Sequence, residues 1–276
     1  MRATYETHAR GIRIVPGQWR PHYPFEQIAW VSPPWPSQEY IWLDFPEAIF
    51  SDSRLLFLSH VNPAYPALFP DLPKVPWRTT AGSLSFERTL PNEVHFAGAL
   101  VRNGDSALSL ELSVDNRSDE ALKEIRVQTC AYLRGIKEFS DCTAQNKFVH
   151  VPGAGWQSFG HALLADRETG RFRLGWRGGR RLADLPVMVT RSSQAERLVA
   201  MTWYDDTFAL VSNPKHPCMH ADPAFPDLEP GQKVTVRGEL LFFAGAIDEF
   251  AAEFERRYRE GFHRLSGGVR KSYGQP

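Results

Sequence analysis

The stretch Asn213–Phe225, NPKHPCMHADPAF, sets His216, Cys218, His220 and Asp222 at alternate positions. In an extended chain, side chains two apart project from one face, so these four would share a surface. Imidazole and carboxylate can move protons, and with a thiolate they also make a competent ligand set for zinc or iron. Three readings stay open. His220 and Asp222 act as acid–base groups; or His216, Cys218 and His220 hold a divalent metal; or the stretch is a structural loop with Cys218 buried. The spacing matches no established zinc motif, and Pro217 and Pro223 interrupt ideal extension.

A second candidate lies in WLDFPEAIF, where Asp44 and Glu47 sit close to Trp42 and Trp35. A carboxylate against an aromatic wall can have its pKa raised into the range of a general acid, and tryptophan faces stack on sugar rings. Trp203, in RLVAMTWY, is a third candidate platform. His216 is a candidate polar contact beside them. The plain alternative is that the aromatics fill the core while the acids face water. His60, at the end of RLLFLSH, and His150, in FVHVPGAGW, are each placed where a strand ends, a position suited to proton transfer. Without other partners, each would be an ordinary packed histidine. Gly-x-Gly-x-x-Gly, phosphate-loop and Gly-x-Ser-x-Gly patterns are absent, which argues against nucleotide cofactors and serine hydrolysis.

Strands must position these groups. Ser83–Leu90, Glu93–Val101 and Ala107–Asn116 alternate apolar and polar residues with period two, with turn signals at Pro91-Asn92 and Asn103-Gly104-Asp105. Similar segments follow to residue 245, a beat that predicts an all-β fold: a large antiparallel β-sandwich of two stacked sheets. Ile247, Phe250, Phe254 and Tyr258 recur at helical spacing, predicting one C-terminal amphipathic helix over 246–263. Residues 1–80, rich in proline and aromatics, read as further strands and loops covering one mouth of a single domain of residues 1–276. Residues 60–73 and 211–230 share an echo, Asn-Pro-x-x-Pro followed by Phe-Pro-Asp-Leu, so two stiff loops with nearby histidines are expected at equivalent places.

Composition narrows the partners. Lysine plus arginine equals aspartate plus glutamate at 32 each over 276 residues, so no basic excess points to nucleic acid. The basic run Trp176–Leu182 reads as a solvated hairpin tip. Three scattered cysteines, Cys130, Cys142 and Cys218, suit a reduced, cytoplasmic protein, and no apolar run has the length of a signal peptide or membrane span. The 8 tryptophans exceed what a core of this size needs, which fits a ligand-stacking pocket or an interface, in a monomer or a homodimer.

The segment VHFAGALVRNGDSALSLELSVDNRSDEALKEIRVQTCAYL, with the later NPKHPCMHADPAFPDLEPGQKVTVRGELLFF, resembles in layout the galactose mutarotase-like (aldose epimerase-type) β-sandwiches, over about residues 80–245. The resemblance implies an open concave sheet that binds a small carbohydrate and uses histidine and carboxylate groups for acid–base chemistry. It requires no cofactor. That family's catalytic glutamate near the C-terminus has no clear counterpart here. The resulting expectation is a carbohydrate-active protein of epimerase, lyase or hydrolase type, with His220, Asp222, His60 and His150 as candidate catalysts. The alternatives are a non-catalytic carbohydrate- or protein-binding sandwich, and a metal-dependent enzyme using His216 and His220.

Overall fold

The computed structural model describes residues 8–18, 26–60, 62, 64–176 and 178–266, with side chains of the last helix described through Arg259. The tail beyond Ser266 lies outside the described residues, as do Val61 and Pro63 of the first echo loop and Arg177 of the basic run.

Two nine-stranded sheets make the fold. The first runs β1 (Ile14–Gly17), β2 (Ile28–Val31), β3 (Ile41–Ser51), β9 (Arg126–Tyr132), β17 (Cys218–Pro223), β16 (Thr207–Ser212), β12 (Phe172–Leu174) and β13 (Arg180–Ala183). Its ninth strand, β4 (Arg54–Leu58), pairs with the far half of β3. The second sheet runs β11 (Gly155–Ser158), β10 (Lys147–Val151), β14 (Val187–Arg191), β15 (Arg197–Trp203), β18 (Lys233–Ala244), β8 (Ala107–Asn116), β7 (Val94–Asn103), β6 (Ser83–Thr89) and β5 (Arg78–Thr80). Pairing is antiparallel apart from β12 with β16. The all-β sandwich, and the three strands expected between residues 83 and 116, are as the alternation predicts.

Period-two alternation assigns each strand two faces. On the second sheet Leu108, Leu110, Met188, Val199 and Phe242 point between the sheets, where they meet Leu43, Phe45, Val127, Met219 and Ala221 of the first. Their strand neighbours Val189, Leu198, Ala200 and Leu241 point the other way; after the one-turn α1 (Phe159–Ala162), the long α2 (Ile247–Ser266) covers them with Phe250 and Phe254. Acids at Asp248 and Glu249 suit the positive end of the helix dipole, and Glu249 Oε2 accepts the Ala246 amide at 3.0 Å. The expected four-residue ion pairs form, Glu253 to Arg257 at 2.8 Å and Glu255 to Arg259 at 3.0 Å. Among the described residues no helix is long and apolar enough to cross a membrane.

Candidate functional site

The expected loop around Cys218 is a strand. β17 lies between β9 and β16 near the middle of the first sheet, with Cys218 opposite Tyr132 and His220 opposite Cys130. Met219 and Ala221 enter the core, so Cys218, His220 and Asp222 share the outer face, as their spacing predicts. His216 does not join them. It precedes Pro217 in the turn, exposed, with its ring 6.3 Å from that of Tyr132.

Glu47 and Asp44 reach the same face from β3. Asp44 pairs with Cys130 and Ala48 with Gln128, so Phe45, Pro46 and Glu47 together face Thr129 alone. That irregularity coincides with Pro46, which has no N–H to offer a ladder, and such bulges re-aim side chains. Asp44 is buried and its Oδ2 accepts a hydrogen bond from Ser59 Oγ at 2.7 Å. The same hydroxyl stands 3.5 Å from His60 Nδ1. Ser59 is fully buried and links Asp44 to His60. Donor atoms of Asp44, Glu47 and His60 lie within 4.8 Å of one another.

His220 forms the floor of this group. Its ring is 1% exposed, with Nδ1 at 3.6 Å from Asp222 Oδ1 and 3.9 Å from Glu47 Oε2. Burial disfavours the charged ring, but Asp222 and Cys218 beside it and the charges of Asp222 and Glu47 outweigh burial, raising its pKa well above the usual histidine value. Asp222 is fixed twice more. Oδ1 accepts the Thr129 amide at 2.9 Å, and Oδ2 accepts Trp176 Nε1–H at 2.6 Å. Trp176 lies edge-on to His220, ring centroids 4.9 Å apart. A hydrogen bond from Cys130 lowers the Cys218 thiol, with His220 and His216 acting in the same direction against burial, while Cys130 is pushed up.

The expected residues therefore separate into groups. His60, His220, Asp222, Asp44 and Glu47 come together, with Trp42 half-buried on the same face, its ring 5.6 Å from that of Tyr132. His150 does not: it sits on β10 of the second sheet, Nδ1 2.6 Å from Asp184 Oδ1 and beside Trp156. Trp35 and Trp203 are core residues rather than sugar platforms. Trp35 donates to Glu138 Oε1 at 2.9 Å and meets Phe242 edge-on; Trp203 stacks on Phe45 and donates to the Ala221 carbonyl at 2.7 Å. Among the described residues two sets could hold a metal: Cys130, Cys218 and His220, with Cys130 in place of His216, and Asp44, Glu47 and His60. Sequence reasoning missed Cys130, Ser59 and Trp176. For Trp176 a signal existed: a tryptophan in the turn Leu174-Gly175-Trp176 needs an apolar wall, and the parallel pairing of β12 with β16 carries that turn towards β17.

No family model and no curated protein matches the chain. Solved structures do. The Slr1438 protein of Synechocystis sp. PCC 6803 is 11% identical with a TM-score of 0.45, covering 88% of this chain and 97% of that one. A GalM/aldose epimerase homologue from C. elegans is 12% identical at a TM-score of 0.40, covering 80% and 97%. Galactose 1-epimerase from Lactobacillus acidophilus NCFM is 10% identical at 0.40, covering 85% and 99%. Two of these three are named as an aldose epimerase homologue or a galactose epimerase. At these identities what the side chains do has to be read from the site itself.

Proposed function

We propose that this protein acts on a small carbohydrate by acid–base chemistry on the outer face of the first sheet, with Glu47 and His60 as the groups that exchange protons with the sugar. One observation carries the reading: a half-buried carboxylate and a half-buried imidazole are held together on a face not sealed by α2, over a buried His220–Asp222–Trp176 layer. Epimerisation, elimination and hydrolysis each need one group to take a proton while a second gives one, and two titratable groups within 4.8 Å supply that pair. Glu47 keeps 19% of its side chain exposed, whereas His220 and Asp222 keep 1% each. Glu47 therefore meets the ligand, and His220 with Asp222 sets the field beneath it. Trp42 offers an aromatic ring on the same face.

The test is a thermal-shift screen of aldoses, uronates and glycosides, followed by turnover of each hit. Glu47→Gln keeps the shape and removes the titration. It should leave the sugar-induced shift in place and lower turnover by about a hundredfold or more. A hit with no turnover in the native protein supports a non-catalytic carbohydrate-binding sandwich instead. Turnover unaffected by Glu47→Gln removes Glu47 from the chemistry.

A further inference from the structure

We infer that Cys130, Cys218 and His220 form a zinc-type metal site built into the outer face of the first sheet. This goes beyond the carbohydrate reading, with which it shares only His220, the buried ring beneath Glu47, and it is tested without any sugar. The three donors come from two paired strands: His220 lies directly opposite Cys130, and Cys218 is two residues from His220 on the same face of β17. One donor atom from each lies within 4.8 Å of the others, and all three residues are buried. Neither buried cysteine is in a disulfide.

The donor types select the ion. Two sulfurs and one imidazole nitrogen suit zinc, or copper(I), and disfavour magnesium and calcium, which take oxygen ligands. Zinc bound by three protein donors keeps a fourth tetrahedral position for water or another oxygen. The surroundings fit as well. Metal-bound imidazoles are usually oriented by a carboxylate beyond the ring. Here Asp222 and Glu47 lie 3.6 and 3.9 Å from His220 Nδ1, and Asp222 is itself anchored by Thr129 and Trp176. Bringing the donors from within 4.8 Å to zinc-bonding distances takes side-chain rotation on strands whose register is already set.

Purified full-length protein, reduced and stripped with chelator, is titrated with cobalt(II) and separately with zinc. Cobalt should develop thiolate-to-metal charge-transfer absorption and strong tetrahedral visible bands, saturating at one equivalent. Elemental analysis after zinc loading and desalting should give one zinc per chain. Cys130→Ser should abolish the charge-transfer band or cut affinity at least tenfold while circular dichroism stays native, and Cys218→Ser serves as the second variant. His216→Ala should keep the charge-transfer band and the one-equivalent stoichiometry. If a serine variant fails to fold, the cobalt spectrum of the native protein still decides. Three results overturn the inference: no saturable cobalt band, one equivalent of metal bound without sulfur character, or peptide mapping of the reduced and re-exposed protein that returns Cys130–Cys218 as a disulfide with no metal uptake.

Discussion

The outer faces of the two sheets are built differently. On the second sheet the outward positions under α2 include Val189, Leu198, Ala200 and Leu241, and Phe250 and Phe254 close over them, while the next outward pair is Thr202 and Glu239. On the first sheet the outward positions of β3, β9 and β17 include Asp44, Cys130, Cys218, His220 and Asp222. Every one of these five is nearly as buried as the core, yet none is a simple hydrocarbon. Burying polar groups in a sheet face is unfavourable unless each finds a partner, and an apolar face of the same shape would hold the fold at least as well. Under α2 the second sheet keeps a continuous apolar patch, and its buried carboxylate, Glu239, is met by Asn103, Tyr204 and Arg257. The first departs from it at contiguous positions on three adjacent strands, and that concentration marks a site rather than scattered tolerance.

Substitutions on each face should fail in different ways. The largest loss of stability belongs to the sealed side: Phe254→Ala removes a fully buried ring stacked on Phe250, and should cost about 3–5 kcal/mol in urea unfolding. Sugar-induced stabilisation, measured as a difference from the same variant without ligand, should persist. Its disappearance would mean that the two faces are coupled through the core. Next comes Asp222→Ala, which strands the Thr129 amide and the Trp176 indole N–H, at about 1–3 kcal/mol for each donor left without an acceptor. Here ligand response should fall together with stability, because Trp176 loses its anchor. A variant as stable as the parent would show that water replaces the carboxylate freely and that this layer is not preorganised.

The sheets were legible because alternation is a local signal. Leu108, Leu110, Leu112 and Val114 announce β8 without help from any other strand, and the stripe of α2 is equally self-contained. The alternate spacing in Cys218–His220–Asp222 also reported a shared face correctly. What the sequence could not supply is the neighbour. Cys130 meets His220 across 90 residues of chain through strand register, and register is decided by the whole pattern of buried faces rather than by either segment. The prolines misled in one place and informed in another. Pro217 and Pro223 suggested a loop, yet they bracket a strand that sits in mid-sheet. Pro46 broke a strand pattern at the position where Glu47 is turned outward. The echo of residues 60–73 in 211–230 predicted two loops, but the second forms the mid-sheet strand β17; His60 and His220 both lie beside Glu47. Trp35 and Trp203 were misplaced because aromatic surplus says nothing about which ring is left uncovered.

A buried lysine that belongs to neither outer face gives the smallest of the expected effects. Lys147, at the start of β10, shares the parity of Val149 and Val151, which point between the sheets. Its side chain is buried, and Nζ donates to the Thr143 carbonyl at 3.1 Å and to Asn146 Oδ1 at 3.2 Å. Burial lowers its pKa, outweighing the nearby Cys142, Cys218 and Asp141, which act to raise it. The sign of the pH dependence follows. Between the lowered folded value and the unfolded value near 10.4, the unfolded chain binds more protons than the folded one, so unfolding free energy rises with pH. Below that window both states carry the charge, and the folded state bears the full desolvation penalty. Lys147→Met has no such titration. Urea unfolding of both proteins at pH 7.5 and pH 10 should therefore show the native protein gaining on the variant as pH rises. Equal slopes would mean that water reaches Nζ and that the space between the sheets is less dry than the packing of Val149, Met188 and Met219 requires.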